Sequence, residues 1–227
     1  NPIKAGLGKL KKRGAKIVSV NPVKSGYSAI ADEWIGIKPG TDGLFVGALI
    51  HTLLESQRID GEYLARFTNA PWLVIENPGA ADDGLVLRNV AGTPLVYDPQ
   101  TQSTKVSGTY GINPPLMGRF TLPDGKKVVT SFTLIAERFL GAEYAPEAVE
   151  KGCGVPASTI RRIAGELAHT AFEEAIELDI PWTDYLGRQY EKTRGRPVAM
   201  HAMRGISAHS NGFHTCRTIH ILQILLG

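Results

Sequence analysis

The sequence predicts an α/β fold in which helices flank a parallel sheet and a long irregular insertion interrupts the order. The first indication is residues 16–43, KIVSVNPVKSGYSAIADEWIGIKPGTDG, where two apolar runs each end in polar turn residues. The second is the order helix, strand, loop, apolar run and helix, which is typical of parallel sheets. The third is the stretch 71–127, which is rich in Gly, Pro, Asn and Asp and breaks this alternation.

The individual elements follow from the spacing of apolar residues. A recurrence every three to four residues predicts a helix, and a short β-branched run bounded by turn residues predicts a strand. The predicted helices are residues 3–13, 42–54, 59–67, 128–140, 146–150, 156–171 and 213–226; the predicted strands are residues 17–20, 35–38 and 198–203, with strand-like pieces at 72–75, 95–97 and 118–122. Together they predict a Rossmann-like α/β domain of residues 1–70 and 128–227, with an irregular insertion at 71–127 and a second polar insertion near 173–197.

Composition excludes several classes of protein. The 227 residues are 43% hydrophobic and carry a net charge of +3, so a sizeable core is expected and a nucleic-acid partner is not. The basic run KLKKR at 9–13 is interpreted as the solvated face of a helix. Cys153 and Cys216 form no CxxC pair, so neither a disulfide framework nor a metal site is expected in this chain. No apolar run reaches the ~18 residues of a membrane span.

Motifs of nucleophilic or dinucleotide chemistry do not meet their structural context. The Gly-x-Gly at residues 6–8 follows no strand and lies within a helical pattern. Ser207 and Ser210 lack a nucleophile-elbow pattern, so no catalytic residue is assigned. His209 and His214 are five residues apart, which does not place them on one face of a helix for a metal ion.

The polar turns behind the two apolar runs are the best candidates for a binding site. In open parallel sheets, ligands bind beyond the carboxyl ends of the strands, in loops that lead to helices. Loop 1 (residues 21–25) follows the first strand, and loop 2 (residues 39–42) precedes a helix. Thr41 or Asp42 is predicted to cap that helix. Alternatively, the Asp42 carboxylate could accept two N–H hydrogen bonds from the edge of a guanine.

Three segments of the sequence resemble one enzyme family. The segments LKKRGAKIVSVNPVKSGYSAIADEWIGIKPGTDGLFVGALIHTLLE, FTLIAERFLGAEYAPEAVEKGCGVPASTIRRIAGELA and MRGISAHSNGFHTCRTIHILQILLG follow one another in the chain. They resemble, in order, landmarks of the molybdopterin oxidoreductases of the dimethyl sulfoxide reductase superfamily. The stretches NAPWLVIENPGAADDG and MHAMRGISAHSNGFHTCR are most similar to the large subunits of sulfite dehydrogenases, near the polysulfide and thiosulfate reductases.

The resemblance implies a cofactor and residues that hold it. The cofactor is molybdenum, or alternatively tungsten, bound by two molybdopterin guanine dinucleotides. Loop 1 would contact ribose and phosphate, loop 2 guanine, and loop 3 (residues 204–212) the pterin, although the family often carries Gln where this chain has Ala208. The implied cofactor-binding residues are Asn1, Pro2, Asn21, Pro22, Lys24, Ser25, Gly40, Thr41, Asp42, Arg204 and His209, where Asn1 and Pro2 would end a phosphate-binding loop.

The resemblance also implies parts that this chain does not contain. The family's metal ligand and iron–sulfur cluster lie upstream of Asn1, and its C-terminal pterin-binding domain lies beyond Gly227. The chain is therefore expected to be a central fragment, inactive alone. The complete protein is expected to catalyse two-electron redox of a sulfur oxyanion, either sulfite oxidation or polysulfide or thiosulfate reduction, and to pass electrons to an iron–sulfur partner subunit.

Several alternatives remain open at this stage. The superfamily also contains formate dehydrogenases and nitrate reductases, and a stand-alone, non-catalytic nucleotide-binding α/β module is a second class of function. Cytoplasmic placement is expected, with the periplasm left open, and a membrane-anchor protein is an optional further partner.

Overall fold

The computed structural model describes residues 2–202 and 204–227. The helices are α1 (Pro2–Lys12), α2 (Asp42–Glu55), α3 (Gly61–Phe67), α4 (Ser131–Phe139), α5 (Pro146–Cys153), α6 (Ala157–Phe172) and α7 (Gly212–Leu226). The strands are β1 (Val18–Val20), β2 (Glu33–Ile35), β3 (Leu73–Ile75), β4 (Leu95–Asp98), β5 (Ser103–Val106), β6 (Arg119–Thr121), β7 (Lys127–Thr130), β8 (Ile176–Leu178), β9 (Trp182–Thr183), β10 (Gln189–Tyr190) and β11 (Thr193–Gly195). The mixed α/β class is confirmed.

The predicted Rossmann-like sheet is reduced to a single parallel pair. Strands β1 and β2 pair in parallel, with Val20 opposite Ile35. Among the residues that the structure describes, every other strand pair is antiparallel. The predicted strand at 198–203 is also wrong over its described residues 198–202, which form no strand. Val198 and Met200 pack instead against the helical core, so their alternating pattern reflects burial without a ladder of hydrogen bonds.

Helix α2 lies at the centre of the helical core. Its residues 45–51 are buried one after another, so the helix is covered on all sides rather than along one stripe. Helices α4, α5, α6 and α7 surround it. Ile50 and Leu53 of α2 are fully buried, as are Ile160 of α6 and Leu222 of α7. This packing fixes where the N-terminus of α2 lies.

The segment 71–127, for which the sequence predicts irregular structure, contains β3 to β6 and has its own small core. Strands β3, β7 and β6 form an antiparallel sheet, and β4 pairs with β5. Leu73, Leu122 and Val128 belong to an apolar cluster separate from the helical core. The helix predicted at 128–140 begins only at Ser131, because Lys127–Thr130 is the central strand of this sheet.

The second polar insertion forms one interrupted antiparallel hairpin, in which β8 pairs with β11 and, nearer the turn, β9 pairs with β10. Trp182 and Tyr190 stack across the inner pair with ring centroids 4.5 Å apart. After the hairpin, Arg196 returns the chain to the core. Its guanidinium pairs with Asp60, and it donates a hydrogen bond to the carbonyl of Ala171 at 3.0 Å.

Candidate functional site

Loop 1 is held at the carboxyl end of the parallel pair. Because β1 and β2 run in the same direction, their carboxyl ends meet at one edge. The amide of Asn21 donates to the carbonyl of Ile35 at 3.1 Å, and the Asn21 side-chain oxygen accepts the amide of Val23 at 3.1 Å. The indole Nε1 of Trp34 donates to the Asn21 carbonyl at 2.9 Å. Loop 1 is therefore exposed to solvent and still hydrogen-bonded in place. Pro22, Lys24 and Ser25 are all exposed in it.

The chain between β2 and α2 is anchored to the C-terminal end of α5. The amide of Lys38 donates to the carbonyl of Cys153 at 2.8 Å, and its ammonium donates to the carbonyl of Lys151 at 2.6 Å. Gly40 then adopts a φ of +77°, a backbone conformation that would be strained in a residue with a side chain. These contacts set the direction from which loop 2 enters α2.

The first turn of α2 leaves the Asp42 carboxylate free. Thr41 holds the N-cap position, but its hydroxyl donates to the carbonyl of Lys38 at 2.6 Å and does not cap the helix. Asp42 is the first helical residue and is half-buried. Its carboxylate forms no hydrogen bond or ion pair with any residue that the structure describes. The prediction that Thr41 or Asp42 caps α2 is confirmed for the N-cap position, which Thr41 holds, but neither side chain makes a capping hydrogen bond.

Loop 3 lies directly against loop 2. The side-chain amide of Asn211 donates to the carbonyl of Gly40 at 3.3 Å. A Cβ atom built on Gly40 would lie 3.5 Å from Nδ1 of His209, so the imidazole occupies the space beside this glycine. A Cβ atom on Gly212 would lie 2.3 Å from the carbonyl oxygen of Ser207, which explains why the tight end of loop 3 requires glycine.

The N-termini of α2 and α7 converge at this point. A Cβ atom on Gly43 would lie 3.0 Å from the hydroxyl of Thr215, so the two helices approach closely in their first turns. Helix N-termini carry a partial positive charge and unsatisfied amides, which favour anionic groups. Asp42 is the acidic residue in the first turn of α2, and the first turn of α7 contains none.

The acidic pair ahead of loop 2 is engaged in structural contacts. A hydrogen bond from Arg162 on α6 lowers the pKa of the Glu33 carboxyl below its ordinary value. A hydrogen bond from Lys11 lowers the pKa of Asp32, which also accepts the amide of Ile17 at 2.9 Å. These carboxylates tie β2 to the neighbouring helices and are not available as an acid/base pair.

The structure brings some of the predicted site residues together and leaves others apart. Gly40 and His209 are neighbours, and loop 1 is bonded to β2 rather than to loop 2. Arg204 begins a short 3₁₀ turn, Arg204–Ser207, and its side chain is exposed. Asn1 lies outside the described residues, and Pro2 begins α1.

Two residues with a clear place in this geometry are absent from the predicted site residues, namely Trp34 and Asn211. Each donates a side-chain hydrogen bond to the backbone of a neighbouring loop. The sequence signal for Trp34 is a tryptophan within a strand, two residues before a glycine. The signal for Asn211 is an Asn-Gly pair at the start of a helix.

No cluster of three or more His, Cys, Asp or Glu side chains that could hold a metal ion exists within residues 2–202 and 204–227. In the same residues, no helix is long and apolar enough to cross a membrane.

Comparisons with known proteins find close relatives although no family model matches the chain. A sulfite dehydrogenase subunit of Allochromatium vinosum is 44% identical over 236 residues, which covers 100% of this chain and 24% of that protein. The putative catalytic subunit of a dimethyl sulfoxide reductase of Halobacterium salinarum is 35% identical over 70% of the chain and 19% of that protein. The major subunit of formate dehydrogenase-O of Escherichia coli is 26% identical over 94% of the chain and 18% of that protein.

The chain thus spans about a quarter or less of the length of these relatives. Among solved structures, acetylene hydratase from Pelobacter acetylenicus matches 97% of this chain and 18% of its own with a TM-score of 0.54 and 17% sequence identity. This match shows a shared fold. The sequence matches and the three landmark segments agree with one another, and the chain belongs to the molybdopterin oxidoreductase family.

Proposed function

We propose that this chain is the central part of the catalytic subunit of a molybdenum-dependent oxidoreductase and that it binds molybdopterin guanine dinucleotide. The observation that carries the proposal is the free carboxylate of Asp42, half-buried where the N-termini of α2 and α7 converge. A carboxylate accepts the paired N–H groups of a guanine edge in bidentate fashion, and such charge-assisted hydrogen bonds are the strong ones.

The surrounding side chains suit the other parts of a guanine dinucleotide. Lys24 in loop 1 and Arg204 in loop 3 form no ion pair with the residues that the structure describes, so both cations are available for anionic groups. In this proposal Asn21, Pro22, Lys24 and Ser25 contact ribose and phosphate. Gly40, Thr41 and Asp42 hold guanine, Arg204 and His209 approach the pterin, and Asn1 and Pro2 complete a phosphate contact.

Two separate apolar clusters support the proposed domain limits. The larger cluster is built from β2, α2 and α4 to α7, within residues 1–70 and 128–227. The smaller cluster lies mainly within residues 71–127. The first unit is proposed to bind the cofactor, and the second is proposed to be an insertion that does not contact it.

When bound, the bis-molybdopterin guanine dinucleotide cofactor supplies two-electron oxygen-atom transfer at molybdenum, or at tungsten in its place. This chain's residues bind and orient it, which is the usual contribution of a protein to cofactor chemistry. The metal ligand and an iron–sulfur cluster are assigned to other parts of the complete protein. Electrons are proposed to leave to an iron–sulfur partner subunit, optionally with a membrane-anchor protein, on the cytoplasmic side or alternatively in the periplasm.

The proposed substrate is a sulfur oxyanion. The support is the 44% identity with the sulfite dehydrogenase of Allochromatium vinosum over the whole chain, against 26% with formate dehydrogenase-O. Sulfite oxidation is the first reaction to test, followed by reduction of polysulfide or thiosulfate. Formate oxidation and nitrate reduction are the alternatives within the same superfamily.

The test uses the full-length polypeptide that carries this chain. Molybdenum, tungsten and guanine are measured per polypeptide, and electron transfer from sulfite to an artificial acceptor is compared with transfer from formate and with nitrate reduction. We expect about one metal and two guanines per polypeptide together with sulfite-dependent turnover. A purified full-length protein without guanine would contradict the binding proposal, and formate or nitrate turnover without sulfite turnover would contradict the substrate.

A further inference from the structure

Trp34 is a large aromatic residue that lies outside the hydrophobic core. It lies on β2 between Glu33 and Ile35, and because strand side chains alternate, it faces away from the buried side of Ile35. Ile35 is 6% exposed, whereas Trp34 is 37% exposed. Tryptophan contributes most to stability when its ring is buried. The placement of this indole therefore needs a reason other than core packing.

The indole is directed at the first residue of loop 1. Its Nε1 donates to the carbonyl of Asn21 at 2.9 Å. The amide of Asn21 donates to Ile35, and its side chain accepts the amide of Val23. Asn21 is thus fixed through its amide, its side chain and its carbonyl, and the bond to the carbonyl comes from Trp34.

Gly36 sets the orientation of the ring. A Cβ atom built on Gly36 would lie 3.1 Å from Cη2 and 3.2 Å from Cζ2 of Trp34. The six-membered part of the indole therefore lies directly against this glycine. A methyl group at position 36 would require the indole to shift slightly, and this shift would disturb its bond to loop 1.

We infer that Trp34 is a positioning residue for loop 1. The ring rests on Gly36, its N–H holds the Asn21 carbonyl, and the peptide groups and side chains from Pro22 to Ser25 thereby keep the direction needed to contact the nucleotide. This inference rests on the proposed function, because loop 1 is the segment assigned there to ribose and phosphate. Trp34 itself does not contact the ligand in this arrangement.

The test compares Trp34→Phe, which keeps an aromatic ring and removes the N–H donor, with Trp182→Phe. Trp182 is a matched control, because it is 38% exposed and its indole also donates to a backbone carbonyl, that of Lys192 at 3.1 Å. Gly36→Ala is a second variant that keeps the donor and displaces the ring. In the full-length protein, three quantities are measured: hydrogen–deuterium exchange of the loop 1 peptide, the half-time of guanine release and the melting temperature.

We expect Trp34→Phe to exchange faster in loop 1 and to release guanine roughly fivefold faster, since the loss of one hydrogen bond corresponds to a factor of about five. Gly36→Ala should change both quantities in the same direction, and Trp182→Phe should match the wild type. If Trp34→Phe releases guanine with the same half-time as the wild type, the positioning role is refuted and the proposed function stays intact. A wild-type protein that contains no guanine would refute the proposed function, and this inference with it.

Discussion

Replacement of Asp42 by asparagine tests the candidate site most directly, because it removes one negative charge and little volume. A bidentate, charge-assisted contact with guanine contributes ~1.5–3 kcal/mol. Its loss corresponds to roughly 10- to 150-fold weaker cofactor binding, since each 1.4 kcal/mol is tenfold. We therefore expect the full-length Asp42→Asn protein to contain markedly less molybdenum and guanine than the wild type.

The same substitution should change the stability of the cofactor-free protein very little. The loaded protein is excluded from this comparison, because loss of bound cofactor itself lowers the melting temperature. Asp42 caps no amide in the structure, so its contribution to α2 is limited to the attraction between its charge and the helix N-terminus. That attraction is worth ~0.3–1 kcal/mol. A loss of 1 kcal/mol lowers the melting temperature by ~2–4 °C in a protein of 150–250 residues and by less in a longer one, so this range is the upper limit for the full-length protein.

Glu62→Gln serves as the control for Asp42→Asn. Glu62 is also an acidic residue in the first turn of a helix, α3, and it pairs with Arg66 rather than facing loop 3. This variant should show a similar small change in melting temperature and full cofactor content. Full metal and guanine loading of Asp42→Asn would refute the guanine contact. A stability loss in cofactor-free Asp42→Asn well above that of cofactor-free Glu62→Gln would show that the carboxylate has a structural partner.

Three further predictions concern the fold around the site. Gly212→Ala should lower the free energy of unfolding, measured by chemical denaturation, by ~1–3 kcal/mol, because the new methyl group would overlap backbone atoms of loop 3. Gly205→Ala in the same loop is the control and should leave this free energy unchanged, because its methyl group would meet open space. Arg196→Ala should lower the free energy of unfolding, measured by chemical denaturation, by ~1.5–3 kcal/mol, because the Asp60 side chain is only 13% exposed and would lose its arginine partner. An unchanged unfolding midpoint would contradict this. The pKa of Glu33 is lowered by its arginine partner on α6, so its contribution to stability is complete above pH 4.5, its ordinary pKa, and is lost as pH falls through the lower folded value. Glu33→Gln should therefore reduce the acid sensitivity of unfolding below pH 4.5, and an unchanged pH profile would remove this ion pair from the explanation.

The helices of the core could be predicted from sequence because their information is local. The apolar stripe that begins at Asp42, the run 156–171 and the run 213–226 correspond to α2, α6 and α7 with limits that differ by one residue or so. Each has helical periodicity over many residues, and turn residues mark the start of each. The prediction of helix α1 is also confirmed, although Ile3 and Leu10 of its apolar face remain exposed.

The sheets could not be predicted in the same way, because pairing depends on residues that are distant in sequence. Val128 and Val129 fit a helical pattern as well as a strand, and only the antiparallel partners of β7 on either side decide between them. Thr130 then ends the strand and caps α4, since its hydroxyl accepts the amide of Thr133 at 3.3 Å. A β-branched run directly before Ser or Thr is the local signal that indicates such a boundary.

The position expected for the candidate site depended on a wide parallel sheet, and yet loops 2 and 3 do meet in the structure that lacks one. The reason lies in helix packing. Gly43 allows Thr215 to approach α2 closely, so the N-termini of α2 and α7 lie side by side, and the residues that precede these helices are brought into contact. Asn211 and Gly40 are 171 residues apart in sequence, and the hydrogen bond between them follows from this packing. The parallel pair of β1 and β2 has a more limited role. It holds loop 1 at the edge where the chain turns toward α2. A larger residue at position 43 should therefore separate loops 2 and 3 without disturbing loop 1, whereas a wide sheet would have tied all three loops to one edge.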